Sequence, residues 1–129
     1  MEKRVVVLDA DEEQCLELCA ILDEWQYRAT PMHSLPNLET FMQSSACRVV
    51  IMDIDNVPVD NRTIRNLRTR NPEVFLLCLS KYRFHPELHE ALSSHIFACI
   101  NKPIDQDELF YWLRSIYQNG EWSGNQPRA

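Results

Sequence analysis

Four polar side chains follow four apolar segments of the sequence, and their types suit the binding of a cation and a phosphoryl group. They are two carboxylates, a hydroxyl and an ammonium: Asp9, Asp53, Ser80 and Lys102. A carboxylate can attack a phosphoryl group to form an aspartyl phosphate, and a divalent cation screens the repulsion between these two anions. An ammonium neutralises the phosphoryl oxygens, and a hydroxyl donates a hydrogen bond to them. This chemistry requires a fold that brings the four segment ends together.

The spacing of apolar residues predicts that strands and helices alternate along the chain. Continuous apolar or β-branched runs are typical of buried parallel strands. They predict strands at residues 5–8, 27–30, 49–52, 74–79 and 98–100. Apolar residues at helical spacing predict one helix after each strand, at residues 11–24, from Ser34, around Ile64 and Leu67, from Pro86, and from Asp105. Pro86 suits the first turn of a helix, and Asp105 begins a sequence that resembles a capping box.

Five strand–helix units joined by right-handed crossovers predict a doubly wound α/β fold, with a five-stranded parallel sheet and helices on both faces. In the flavodoxin-like strand order 2-1-3-4-5, the topological switch point lies beside the first and third strands. Asp9 and Asp53 follow the apolar parts of these two strands. The expected fold therefore places both carboxylates where open α/β sheets bind their ligands.

Length and composition indicate one globular domain at residues 1–118, followed by a polar tail or linker at residues 119–129 that we expect to be disordered. The net charge of −6 opposes direct nucleic-acid binding, which needs a basic surface. No apolar run approaches the roughly 20 residues of a membrane span, and the N-terminus lacks a signal-peptide pattern. We therefore expect a cytoplasmic protein that does not bind membranes. The five cysteines form no CxxC pair, as expected of thiols in a reducing compartment.

Both glycines of the chain, Gly120 and Gly124, lie within its last ten residues. A P-loop and a GxGxxG dinucleotide-binding turn both require glycines, so neither motif is present. A bound phosphate must instead be held by side chains, by amides at the strand ends or by a cation.

Three arginines, Arg62, Arg65 and Arg68, recur at every third position beside the predicted third helix. Such a run of charge usually forms a solvated face of a helix. We expect that arrangement here, and a docking patch for an acidic partner is the alternative.

The order and positions of the four polar residues resemble those of the receiver domains of two-component response regulators, over roughly residues 4–117. The resemblance implies that Asp53 is the phospho-acceptor, that Lys102 binds the phosphoryl group and that Ser80 is the hydroxyl of the switch. It also implies a Mg²⁺ site with ligands drawn from Asp9, Asp53, Asp55 (through its backbone or its side chain) and Asp11. The implied function is phosphorelay signalling by a module that is not itself an enzyme.

The same resemblance implies the partners of the chain. A sensor histidine kinase or a phosphotransfer protein would donate the phosphoryl group to Asp53. The new dianion would draw Ser80 and the following loop inward through a charge-assisted hydrogen bond. This movement would bias the surface of the fourth helix, fifth strand and fifth helix, where the family contacts output partners, effector domains or a second receiver.

The sequence departs from the family pattern around the expected cation site. The family usually carries two adjacent acidic residues after the first strand, but here the second of these positions is Ala10 and the next acid, Asp11, comes one residue late. Asp55 stands where the family contributes a backbone carbonyl, so its carboxylate either compensates for Ala10 or adds repulsion. Pro58 lies five residues after the acceptor instead of four, which makes the intervening loop one residue longer.

The switch region departs from the pattern as well. The family's switch aromatic stands three residues before the lysine, and this position is Cys99 here. Phe97 lies two residues earlier, on the same face of a strand but one step further back. Lys81 follows Ser80 where the family often has a small residue. These differences place the usual coupling between hydroxyl and aromatic in question.

The departures at Ala10 and Cys99 support an alternative in which the chain keeps the receiver fold but works as a pseudo-receiver, binding a partner without phosphorylation. This alternative predicts no Mg²⁺-dependent uptake of a phosphoryl group.

An enzyme is a second alternative, since the segment from Val49 to Val57 also resembles the first motif of haloacid-dehalogenase-like phosphatases. In that family the residue at Asp53 would be the nucleophile and Asp55 the general acid, and Ser80 and Lys102 would match the next two motifs. Two features oppose it. A complete βαβα segment precedes the motif, and the acidic pair expected after the lysine falls at a predicted helix start instead of a strand end.

Overall fold

The computed structural model describes residues 3–45, 47–83 and 85–119, and these form a three-layer α/β sandwich. All but the first residue of the predicted polar tail lie outside the described residues. The exception is Asn119, which ends the last helix. No helix in the described part of the chain is long and apolar enough to cross a membrane.

The five predicted strands form one parallel sheet. They are β1 (Arg4–Leu8), β2 (Arg28–Met32), β3 (Val49–Asp53), β4 (Phe75–Ser80) and β5 (Ala98–Asn101). The strand order is β2-β1-β3-β4-β5, which confirms the predicted flavodoxin-like topology. Every residue of β3 and β4 is buried, as expected of central strands covered by helices on both faces.

Helices follow all five strands. The α-helices are α1 (Glu12–Glu24), α2 (Leu35–Ser44), α3 (Asn61–Arg70), α4 (His89–Ser94) and α5 (Gln106–Asn119). Side chains before three of them act as N-caps: Asp11 accepts from the Gln14 amide at 3.1 Å, Ser34 from the Asn37 amide and Asp60 from the Thr63 amide. The cap at Asp11 fixes the direction of the first turn of α1 and therefore the position of Gln14.

The fourth helix differs from the prediction, because Pro86 does not lie in its first α-helical turn. Pro86–Leu88 form a 3₁₀ turn, and α4 begins only at His89. The residues before these two elements supply no side-chain cap, and Leu88 has a non-helical ψ of 19°. The Asn61 side chain of α3 instead accepts from the Ala91 amide at 2.8 Å, and the 3₁₀ turn satisfies a further part of the backbone before the α-helix starts.

Alternate strand residues pack against helices on opposite faces of the sheet. Val5, Val7 and Ile51 belong to one core cluster with apolar residues of α1 and α5. Val6 and Met52 belong to a second cluster with apolar residues of α2, α3 and α4. The sheet is thus held between two cores, and its strand ends are fixed relative to each other.

The prediction that the three regularly spaced arginines form a solvated face is wrong for one of them, Arg68. Arg68 is only 9% exposed, and its Nη1 donates to the carbonyl oxygens of Pro72 at 2.7 Å and Val74 at 2.9 Å. Arg65 is exposed and pairs with Glu90 at 3.0 Å. Arg68 therefore closes the turn between α3 and β4, and burial of its guanidinium lowers its pKa.

We expect Arg68→Met to lower the free energy of unfolding by about 1–3 kcal/mol, since it leaves two partly buried carbonyls without this donor. Urea denaturation of the variant and the wild type measures this difference. Arg62→Met, at an exposed position of the same helix, is the matched control and should change stability by no more than about 0.5 kcal/mol. Equal stability of both variants would contradict the structural role of Arg68.

Candidate functional site

The four polar residues predicted to lie together do so at the carboxyl edge of the sheet. Asp9 follows β1, Asp53 ends β3, Ser80 ends β4 and Lys102 follows β5. The parallel register pairs Asp53 with Leu79 and Ser80 with Asn101, which brings the ends of neighbouring strands level. The strand order, not any local motif, therefore assembles the site from distant parts of the sequence.

Asp53 is completely buried, and both of its carboxylate oxygens accept hydrogen bonds. Its Oδ1 accepts from the backbone amides of Asp55 at 2.9 Å and Asn56 at 3.2 Å. Its Oδ2 accepts from Lys102 Nζ at 2.7 Å and Gln14 Nε2 at 2.6 Å. A buried carboxylate is costly unless it is paired and hydrogen-bonded, and these four donors satisfy that requirement.

Gln14, which the sequence analysis did not select, bridges the two carboxylates at the switch point. Its Nε2 donates to Asp9 Oδ2 as well as to Asp53 Oδ2. Asp9 Oδ1 accepts from the Asp11 amide and from Asn56 Nδ2, both at 2.9 Å. The carboxamide nitrogen of Gln14 therefore stands between two anions, in a place that favours positive charge.

Asp55 and Ser80 belong to a second group of contacts in the site. Ser80 Oγ donates to Asp55 Oδ1 at 2.8 Å. Asp55 Oδ2 accepts from the Lys81 amide at 2.8 Å and lies 3.0 Å from Lys102 Nζ. Lys102 thus contacts two carboxylates at once, and it links the Asp55 group to Asp53.

The hydrogen bonds of this group shift the pKa values of both charged partners. Burial alone would raise the pKa of Asp55, but donation by Lys81, Ser80 and Lys102 outweighs it and lowers the pKa. Burial alone would lower the pKa of Lys102, but its contacts with Asp53 and Asp55 outweigh it and raise the pKa. Both shifts favour the charged forms.

The remaining acidic candidate lies at the margin of the site. The Asp11 carboxylate caps α1, is exposed, and accepts from the Gln14 amide. The side chain of Asp55 faces Ser80 and Lys81, as described above. Of the four candidate metal ligands, only the Asp9 and Asp53 carboxylates therefore lie on either side of one position, which the Gln14 amide nitrogen occupies.

The two candidate switch residues before the lysine have different environments. Phe97 is buried and makes edge-to-face contacts with Phe75 and Trp112, with centroid distances of 5.1 and 5.4 Å. Cys99 is exposed and lies opposite Cys78 in the β4–β5 register. Since Phe97 is fixed between two rings of the core, it cannot rotate toward the site without breaking that packing.

The donor chemistry of Asp9 and Asp53 suits a hard divalent cation, which binds proteins through one or two carboxylates and keeps several waters. The amide nitrogen of Gln14 stands in for positive charge between these carboxylates. Within the part of the chain that the structure describes, no group of three or more His, Cys, Asp or Glu side chains is arranged to hold a metal. The residues therefore fit a cation held by two carboxylates, in competition with Gln14.

The chain is similar in sequence to a known regulatory protein. No protein-family model matches the chain. Over 107 residues, or 81% of this chain, it is 31% identical to the transcriptional regulatory protein ZraR of Klebsiella oxytoca. The match covers 24% of that protein, so the chain spans about a quarter of the length of this curated relative.

Solved structures share the fold at low sequence identity. The signal receiver domain of an HD domain-containing protein from Pseudomonas fluorescens Pf-5 has a TM-score of 0.82 at 18% identity, over 94% of this chain and all of that one. A CheY-like receiver domain from Methanospirillum hungatei JF-1 also has a TM-score of 0.82, at 14% identity, over 92% and 96% of the two chains. The beryllofluoride-activated NtrC4 receiver domain dimer has a TM-score of 0.81 at 18% identity, over 92% and 99%.

The lowered pKa of Asp55 predicts a stability difference that depends on pH. A group with a depressed folded-state pKa stabilises the fold above its unfolded pKa, about 3.9 for Asp, and loses this contribution as pH falls through the folded value. We expect Asp55→Asn to have a lower free energy of unfolding than the wild type at pH 7. This difference should shrink below about pH 4, and urea denaturation at pH 7, 5 and 3.5 measures the gap in free energy. Asp107→Asn, at an exposed carboxylate in α5, is the control, and a gap for Asp55→Asn that stays constant with pH would contradict the assignment.

Proposed function

The chain is a response regulator receiver domain, and from that premise we propose that it accepts a phosphoryl group on Asp53 in two-component signalling. The observation that carries the proposal is the contact of the Asp53 carboxylate with Lys102 Nζ at 2.7 Å, at the switch point of the sheet. A nucleophile for phosphoryl transfer needs a cationic group that neutralises the transferred oxygens, and this contact supports that role for Lys102.

The proposed transfer uses the phosphohistidine of a sensor histidine kinase or a phosphotransfer protein as donor. An Asp53 oxygen attacks the phosphorus and forms a P–O bond, while the P–N bond of the donor breaks and the imidazole leaves with the electron pair. Because Asp53 is fully buried, the Gln14 side chain or the loop after β3 must move before the donor can reach it. Lys102 then binds the phosphoryl oxygens, and Ser80 supplies a hydroxyl donor.

We propose that Mg²⁺ assists this step at Asp9 and Asp53. When bound, the cation would supply screening of the repulsion between the carboxylates and the incoming phosphoryl group. The backbone of Asp55 is a further candidate ligand, in accord with the resemblance to the family. The exposed position of Asp11, and its use as the cap of α1, favour a structural role for that residue.

The proposed partners follow from the relatives. ZraR is a transcriptional regulatory protein about four times as long as the matched segment, which supports an output partner or effector domain acting through the surface of α4, β5 and α5. The NtrC4 receiver is a dimer, which supports a homodimer of this chain. We place these interactions in the cytoplasm, where kinase and regulator meet.

A pseudo-receiver that binds its partner without phosphorylation is the second candidate, and one observation favours it. The Asp53 oxygens, Ser80 and Lys102 are already hydrogen-bonded within the chain. The phosphatase alternative is less well supported, because a general acid needs a pKa near the working pH and the pKa of Asp55 is lowered.

Intact-mass spectrometry after incubation with acetyl phosphate tests the acceptor. We expect a mass increase of one phosphoryl group in the wild type that depends on Mg²⁺ and is absent from Asp53→Asn. Asp107→Asn, which changes the same charge at an exposed position, should be labelled like the wild type. A folded wild type without an adduct would favour the pseudo-receiver, and labelling of Asp53→Asn would contradict the choice of Asp53.

The contacts of Gln14 with Asp9 and Asp53 predict that this side chain weakens the binding of Mg²⁺. Gln14→Ala removes the amide that competes for Asp9 and Asp53, so we expect Mg²⁺ to bind roughly tenfold more tightly, which corresponds to about 1.4 kcal/mol. Calorimetric titration with MgCl₂ measures this change. Gln118→Ala, at an exposed position of α5, is the matched control. An affinity of Gln14→Ala equal to that of the wild type would show that Gln14 does not compete with the cation.

A further inference from the structure

The Asp55 carboxylate is held by a set of donors that would suit a phosphoryl group. Ser80 Oγ, the Lys81 amide and Lys102 Nζ lie 2.8, 2.8 and 3.0 Å from its oxygens. A hydroxyl, a backbone amide and an ammonium are typical partners of an oxyanion. The side chain of Asp55 is only 10% exposed, so this carboxylate fills the space between the three donors.

The donor set lies directly beside the proposed acceptor. Lys102 Nζ is 2.7 Å from Asp53 Oδ2 and 3.0 Å from Asp55 Oδ2. A phosphoryl group on Asp53 would need the same ammonium and the same hydroxyl. It would therefore meet the Asp55 carboxylate at the donors it has to reach, with like charges in contact.

We propose that Asp55 is a built-in anion that fills the phosphoryl-binding pocket of Ser80, Lys81 and Lys102 and competes with a phosphoryl group for it. This inference rests on the proposed function for its biological meaning, and on the contacts of Asp55 for its physical basis. In the unmodified chain, Asp55 holds the side chains of Ser80 and Lys102 in the positions that they would take around a bound external anion. The pocket opens to an external anion only when Asp55 leaves it.

Tethering gives the Asp55 carboxylate an advantage over any free anion, because its local concentration at the donors is fixed by the chain. A phosphoryl group bonded to Asp53 is tethered in the same way and carries a charge of about −1.5 to −2. It is therefore the anion best able to displace Asp55, whereas free orthophosphate lacks a tether and competes with Asp55 only weakly.

The backbone shows where the displacement would be transmitted. The Asp55 and Asn56 amides donate to Asp53 Oδ1, and the Ile54 amide donates to the Leu79 carbonyl at 3.1 Å. Expulsion of the Asp55 side chain therefore acts on the loop after β3. Ser80 exchanges one anionic partner for another, whereas Asp55 loses all of its donors, so the loop after β3 carries most of the change.

Orthophosphate without Mg²⁺ is the probe that tests this inference on the full chain. Amide chemical shifts in ¹⁵N-labelled protein report its binding to wild type, Asp55→Ala and Asp107→Ala, the last removing an exposed carboxylate. We expect Asp55→Ala to bind orthophosphate at least tenfold more tightly than the other two proteins, with the largest shift at the Lys81 amide. Addition of Lys102→Ala to Asp55→Ala should abolish this gain. Equal affinity of the three proteins would overturn the proposal.

A second measurement keeps the test decisive if Asp55→Ala does not fold. Asp55→Asn removes the charge and keeps the size of the side chain, so orthophosphate should again bind more tightly than to the wild type. Wild-type affinity in a folded Asp55→Asn protein would overturn the proposal. Neither readout requires phosphoryl transfer, so a chain that fails to label with acetyl phosphate but shows both effects would disprove the acceptor role and retain the built-in anion.

Discussion

The charge of Asp53, buried at the carboxyl edge of the sheet, is the constraint on which the site depends. A carboxylate without exposure to water must obtain its donors from the protein, and here they come from three separate parts of the chain. Gln14 reaches it from α1, two amides from the loop after β3, and Lys102 from the residue after β5. To satisfy this one charge, the fold has to bring these three segments into contact.

The strand order of the sheet brings these three segments together. Parallel strands end at a common edge, and the order β2-β1-β3-β4-β5 sets β3 between β1 and β4. Because two apolar cores hold the sheet from both faces, the edge is rigid enough for hydrogen bonds between groups distant in sequence. The charged site thus takes its geometry from the apolar packing beneath it.

The sequence predicted the features that follow from periodicity and topology. The five strands, their order and the common location of Asp9, Asp53, Ser80 and Lys102 were all correct. The last four strands each end one or two residues beyond the predicted runs, because the hydrogen-bond ladder continues to Met32, Asp53, Ser80 and Asn101.

The features that the sequence did not predict depend on side-chain partners in three dimensions. Gln14 and Asn56 are ordinary polar residues in the pattern, and only the folded geometry shows that their amides meet Asp9. The position of Gln14, three residues after the cap at Asp11, could have indicated its role, since a side chain in the first turn of a helix can point back to the strand end. Arg68 belonged to a regular charge run, and its burial depends on the turn that follows α3.

The two groups that occupy the site act on it in opposite senses. The Gln14 amide supplies hydrogen-bond donation where a cation would lie, and the Asp55 carboxylate supplies charge where an anion would lie. Ligand binding is then an exchange. Each incoming ligand must make contacts at least as favourable as those of the side chain that it displaces. Both exchanges meet at Asp53 Oδ2, which contacts Gln14 and Lys102 together. A cation that removes Gln14 and a phosphoryl group that removes Asp55 carry opposite charges, so each should favour the binding of the other, and the coupling is reciprocal. Neither ligand alone opens the whole site.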